Sequence, residues 1–208
     1  MNRNLLLLAL CQGLFLTNNV VFIAVNGLVG LSLAPQGWLA TLPVTGYVVG
    51  SAASTVLVAR LQARLGRRRS FQIGLAVGAC TAAVCAYAVV RQDFWLLVGA
   101  TVAAGFYAAN ASLYRFAGPE LVVPALRERA VSLVLAGGII GAFAGPSLAS
   151  ATRSILPMAF AGSYLSLVAV ALVSLAALSL IRFEAHLAPH AGAAGGRPLR
   201  KIARQPVR

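Results

Sequence analysis

Apolar residues run through this chain in long blocks, with no chain-wide alternation of polar and apolar positions. Residues 4–59 form 56 consecutive positions without a charge. At about 1.5 Å per residue, a helix of that length is more than twice the ~30 Å hydrocarbon core of a bilayer. Two spans therefore share the block, and Pro35 and Gly37 mark the turn between them. Four further uncharged stretches follow at 70–90, 94–114, 130–152 and 154–181, each at least 21 residues long. The pattern predicts six membrane helices at 5–31, 38–59, 70–90, 94–114, 130–152 and 154–181. A β-barrel would need strands of about 10 residues alternating with period two, and no such pattern runs along the chain.

Composition agrees with lipid as the solvent. Of the 208 residues 60% are hydrophobic and only 10% are charged, where about 25% is usual in a soluble domain. The net charge of +13 follows from where the basic residues fall. Fifteen of the 17 lie on the side of the two termini and only Arg91 and Arg153 on the other, so the positive-inside rule predicts cytoplasmic ends. Because these cations are dispersed over several loops, they read as a topology signal, and no nucleic-acid partner is expected. The hydrophobic run ending at Cys11 is not expected to be a cleaved signal, because Leu10 is large and the apolar run continues well past it. Residues 1–181 are read as the bundle. Residues 182–208, rich in Gly, Pro and basic side chains, are read as a cytoplasmic linker near anionic headgroups.

The polar residues inside the spans are the candidates for function. The first span carries Gln12, Asn19 and Asn26, seven apart and so nearly two turns apart on one face. The fourth carries Tyr107, Asn110 and Tyr114 at spacings of three and four, again on one face. Two readings stay open: a polar path for solute, or amides that bond helix to helix at on the order of 1 kcal/mol each. The four acidic residues, Asp93, Glu120, Glu128 and Glu184, all fall at loop or interfacial positions, so a buried acid for proton coupling is not expected. No catalytic or phosphate-binding motif occurs. His186 and His190 flank Pro189 without further ligands, and Cys80 and Cys85 have no electropositive partner, so neither metal nor cofactor is expected.

Two motifs point to a family. The segment 59–69, Ala-Arg-Leu-Gln-Ala-Arg-Leu-Gly-Arg-Arg-Arg, resembles the cytoplasmic loop signature of the major facilitator superfamily, with Arg64, Gly66, Arg68 and Arg69 matching. Ala59 stands where the family has Gly, and Ala63 where it has an Asp that joins a gating charge network. In the fifth span Gly137, Gly141, Gly145 and Pro146 are similar to the family's G-x-x-x-G-P signature, with Ala149 and Ser150 in place of two later glycines. Residues 124–130 are also similar to its fourth loop. The resemblance implies a 3+3 inverted repeat, equivalent to the first six-helix half of a twelve-helix fold. It further implies solute transport by alternating access across a bacterial inner membrane. Such a half would need a second one, either a parallel homodimer partner or a missing C-terminal half. The alternatives are a half that transports nothing alone, or a membrane assembly partner.

Overall fold

The computed structural model describes residues 3–155 and 158–181. Among these the chain is helical throughout, with α1 at Arg3–Leu33, α2 at Leu42–Arg91, α3 at Phe94–Ala111, α4 at Tyr114–Ala117, α5 at Arg127–Thr152 and α6 at Ala161–Ser179. Short 3₁₀ turns at Gly37–Leu39, Gly118–Leu121 and Pro124–Leu126 join them. Five segments are long and apolar enough to cross a membrane. The expected linker 182–208 lies outside the described residues.

The largest departure from the hydropathy reading is at residues 60–69, which were expected to be a loop between two spans. The helices on either side extend into this segment and meet at a kink at Gly66, so that α2 is two helices joined there. The glycine's φ of 77° and ψ of 167° are non-helical, a conformation that only a residue without Cβ adopts freely. One glycine thus divides α2 into arms 42–65 and 67–91. On either side of that glycine the basic residues stay helical, arginine being a good helix former.

Other boundaries also shift. The expected second span begins later, because Gly37–Leu39 forms a 3₁₀ turn and Pro43 sits in the first turn of α2, where its missing N–H costs nothing. The expected fourth span, 94–114, ends at Ala111, which leaves Tyr114 in the separate α4. Asp93 starts α3 by accepting the Leu96 N–H at 3.0 Å, an N-cap contact. The expected sixth span, 154–181, is shorter at Ala161–Ser179. Phe160, at φ 68°, turns the chain into α6, its N–H donating to the Arg153 carbonyl at 3.1 Å and its ring stacked under the Arg153 guanidinium.

Packing follows the small residues. The α2 and α3 helices make the most extensive contact, followed by α1 with α5, α2 with α6 and α1 with α6. A Cβ on Gly105 would land on the backbone at Gly50 and Ser51, so α3 crosses the first arm of α2 backbone against backbone. Two apolar clusters result. One gathers Leu8, Phe15, Phe71, Tyr107, Tyr114, Val134 and Leu178. The other gathers Phe22, Val25, Tyr47, Cys85, Leu97, Tyr164 and Leu167. A cavity that touches Arg3, Arg68 and Ser179 marks one end of the bundle, and one that touches Leu33, Gln92 and Phe160 marks the other.

Candidate substrate path and basic turn

Each polar side chain on α1 meets a different neighbour. Asn26 is fully buried, and its Oδ1 accepts a hydrogen bond from the Tyr164 hydroxyl of α6. One heptad earlier, half-buried Asn19 accepts from the Tyr47 hydroxyl of α2 at 2.7 Å. Gln12 is buried, with its side chain under Gly138 of α5. Adjacent Asn18 donates to the Leu167 carbonyl of α6 at 3.4 Å. Although the heptad spacing puts Gln12, Asn19 and Asn26 on one face, three different helices cover that face at three heights.

On α3 and α4 the arrangement is different. Tyr107 and Tyr114 come together through one ring, Phe15 of α1, at centroid distances of 5.7 and 6.2 Å in edge-to-face geometry. Phe71 closes on Tyr114 at 4.7 Å. Asn110 sits between them in sequence but is held elsewhere, its Nδ2 donating to the Ser70 carbonyl at 2.8 Å on the second arm of α2. Gly74 and Gly78 make room for Asn110 and the Tyr107 ring, since a Cβ at either would press on those side chains. The structure thus brings Tyr107 and Tyr114 together around Phe15 and places Asn19 and Asn26 around Phe22, Tyr47 and Tyr164.

Two buried polar atoms along these faces have no hydrogen-bond partner among the described residues, Gln12 Oε1 and Asn26 Nδ2, while the Tyr107 hydroxyl faces the Asn18 amide. In an apolar medium an unmet donor or acceptor carries a cost of roughly 1–3 kcal/mol. Sequence reasoning did not single out Phe15, Phe22, Tyr47, Ser70 or Tyr164. Tyr47 and Tyr164 were findable, being hydroxyl-bearing residues inside uncharged spans, but their partners were not.

At the basic turn, Gly66 presents successive arginines to different elements. Arg67 pairs with Glu120 at 2.6 Å and reaches Gln62 at 3.4 Å. Arg68 donates to the Ser179 carbonyl at the end of α6 at 2.6 Å, where a cation meets the negative end of the helix. Arg64 and Arg69 are exposed. Position 63, where the resembling family has an acid, is an exposed alanine, and the described ion pair at this turn is built instead from Arg67 and Glu120.

The glycines of α5 face α1. A Cβ on Gly137 would land on the Ala9 carbonyl oxygen, and one on Gly141 would land on that of Gly13. Gly145 lies against Val20. Thr17 sits in this seam with its hydroxyl 2.8 Å from the Gly141 carbonyl and 3.0 Å from that of Gly13. Pro146 is accommodated on the exposed side of a continuous α5.

Comparison with known proteins adds to this geometry. A family model described as Major Facilitator Superfamily matches residues 5–208. A riboflavin transporter, RfnT, of Brucella anthropi is 35% identical over 206 residues, which is 98% of this chain and 52% of that protein. An uncharacterized MFS-type transporter, YdeG, of Bacillus subtilis is 32% identical over 61% of the chain and 29% of its own length. The drug efflux pump JefA of Mycobacterium tuberculosis is 35% identical over 50% of the chain and 20% of its own length. The chain thus spans about half the length of the first of these relatives and less of the others. No solved structure matches.

Proposed function

The chain belongs to the major facilitator superfamily, and on that premise we propose that it acts as one half of an alternating-access solute transporter. Riboflavin is the first substrate to test, because the relative that covers 98% of the chain is a riboflavin transporter. In this reading the two arms of α2 are separate crossings, giving six in all. The Arg3 and Ser179 ends share the cytoplasmic face of a bacterial inner membrane, and the helices form a 3+3 inverted repeat. The repeat is supported by a correspondence of ties: Asn26, late in the first crossing, bonds early in the sixth, and Asn110, late in the fourth, bonds early in the third.

The observation that carries the need for a second half is the state of α5. Only 22% of its most apolar stretch is buried, against 50–56% for the other four segments. Ile139, Ile140 and Phe143 are all more than half exposed on it. A helix so lightly covered leaves a broad face for another six-helix unit, either a second copy packed in parallel or a C-terminal half. Between the units, Asn19 with Tyr47 lines the open side of the path. Gln12, Asn26, Tyr107, Asn110 and Tyr114 line its closed part, where the unpartnered Gln12 Oε1 and Asn26 Nδ2 offer solute one acceptor and one donor. Arg64, Gly66, Arg68 and Arg69 form the turn that gates the cytoplasmic side, and Gly137, Gly141, Gly145 and Pro146 let α5 and α1 shift as a pair.

Riboflavin uptake into sealed proteoliposomes tests the reading, together with the protein mass of the solubilised particle by light scattering. A discrete dimer with saturable uptake, reduced by Asn19→Leu and Asn110→Leu, supports the homodimer. Uptake only after co-expression with a separate C-terminal half supports the second arrangement. A monomer inactive under both conditions overturns riboflavin as the solute and the homodimer, and favours a half that transports nothing alone or a partner role in membrane assembly.

A further inference from the structure

The cytoplasmic-end cavity is not part of the proposed path, and we propose that it binds the headgroup of an anionic phospholipid. It has a volume of about 620 Å³, and Arg3, Asn4, Arg68, Ser179 and Leu180 line it. These residues come from three elements: the start of α1, the second arm of α2 just past Gly66, and the end of α6. The guanidinium-bearing side chains of Arg3 and Arg68 therefore line one space, with no carboxylate among the described lining residues, while the Ser179 hydroxyl is already engaged, donating to the Leu175 carbonyl at 2.7 Å. That donor set suits the non-bridging oxygens of a phosphate diester. Basic cavities between membrane helices on the cytoplasmic side are where such headgroups bind.

Arg68 is already fixed in this position. Its Nη2 donates to the Ser179 carbonyl at 2.6 Å, and Gln72 Nε2 holds the Ser179 hydroxyl at 3.1 Å. A guanidinium has five N–H donors, so this tie orients the group and leaves others for a ligand. The surroundings favour a lipid over a free anion. Leu180 at 58% and Leu172 at 54% exposure continue down α6 from the cavity, and Ile73 is exposed on the neighbouring arm. With the phosphate between Arg3 and Arg68, acyl chains would lie along these side chains. The inference rests on the cytoplasmic orientation proposed above for this end and does not depend on transport or on a second half.

Native mass spectrometry of the full chain, released from membranes containing phosphatidylglycerol and phosphatidylethanolamine, reads the site directly. The unaltered chain should retain phosphatidylglycerol in preference to phosphatidylethanolamine. Retention should fall about fivefold for each arginine removed, in Arg3→Gln and in Arg3→Gln/Arg68→Gln. The pair Arg127→Gln/Arg129→Gln, which removes the same charge at the start of α5, should leave retention unchanged. If the double variant folds poorly, Arg3→Gln alone decides, since it leaves the Arg68–Ser179 tie intact. Equal retention by Arg3→Gln and the unaltered chain overturns the site, and so does an equal loss in the α5 control. Displacement of phosphatidylglycerol by millimolar inorganic phosphate would identify free phosphate as the occupant and overturn the assignment to lipid.

Discussion

The α1 helix is held in two different ways along its two sides. Toward α5 the contact is made mainly by backbone: Gly137 and Gly141 bring their helix so close that Ala9 and Gly13 carbonyls occupy the space a Cβ would need, with one directed bond added from the Thr17 hydroxyl to the Gly141 carbonyl. Toward α6 and α2 the contact is made by side chains, with Asn26 tied to Tyr164, Asn18 to the Leu167 carbonyl, and Asn19 to Tyr47. Hydrophobic burial does not discriminate between neighbours in lipid, since acyl chains are as apolar as leucine. What remains is chiefly close fit on one side and directed bonding on the other. Close fit fails abruptly when an atom is added, whereas each directed bond contributes only a modest amount.

The largest expected effect breaks the close-fit side. Gly141→Ala should lower stability by about 3 kcal/mol, the upper range for overpacking a tight contact, read as a drop in thermal midpoint of the solubilised protein. Gly27→Ala, on α1 itself but with nothing within 4 Å of a built Cβ, should instead stabilise by about 0.5–1 kcal/mol through helix propensity. If the two substitutions act alike, the seam is not what holds α5.

Next in size is the turn between the arms of α2. Gly66→Ala forces a side chain into φ 77° and should cost about 1–3 kcal/mol. Limited proteolysis at the basic segment would report it as faster cleavage. On the directed side, Tyr164→Phe removes the partner of Asn26 and should cost about 0.6–1.7 kcal/mol, measurable by steric trapping or denaturant titration in detergent. A loss as large as that of Gly141→Ala would erase the distinction between the two sides. The smallest change expected is Glu120→Gln, which unpairs the partly exposed Arg67. It should cost about 0.2–1 kcal/mol and shrink further in high salt.

Much of the fold was legible because lipid imposes a simple rule. A chain without charge over 56 residues has to satisfy its backbone internally, so helix and membrane follow together. Boundaries were less legible. Residues 60–69 carry five arginines and read as a loop, yet charge alone does not end a helix, and the only backbone break is at Gly66. Tyr114 continued the α3 pattern by spacing, but the chain turns at Ser112 and Leu113, so it reaches Phe15 and Phe71 from α4.

For the candidate path, the sequence by itself determined which polar residues lie within uncharged spans and which of them share a helical face, because both follow from a fixed period of 3.6 residues. It also determined that five arginines fall together between two uncharged stretches at 60–69, and that Gly137, Gly141 and Gly145 form one stripe. Only the tertiary structure decided what each of these meets. Asn26 bonds across 138 residues to Tyr164, Asn110 across 40 to Ser70, and Arg67 finds Glu120. The physical reason is that a hydrogen bond or ion pair needs its partner within about 3 Å at a given height and angle. Height and angle depend on how the helices tilt and on which of them adjoin, and the sequence of a single helix contains neither.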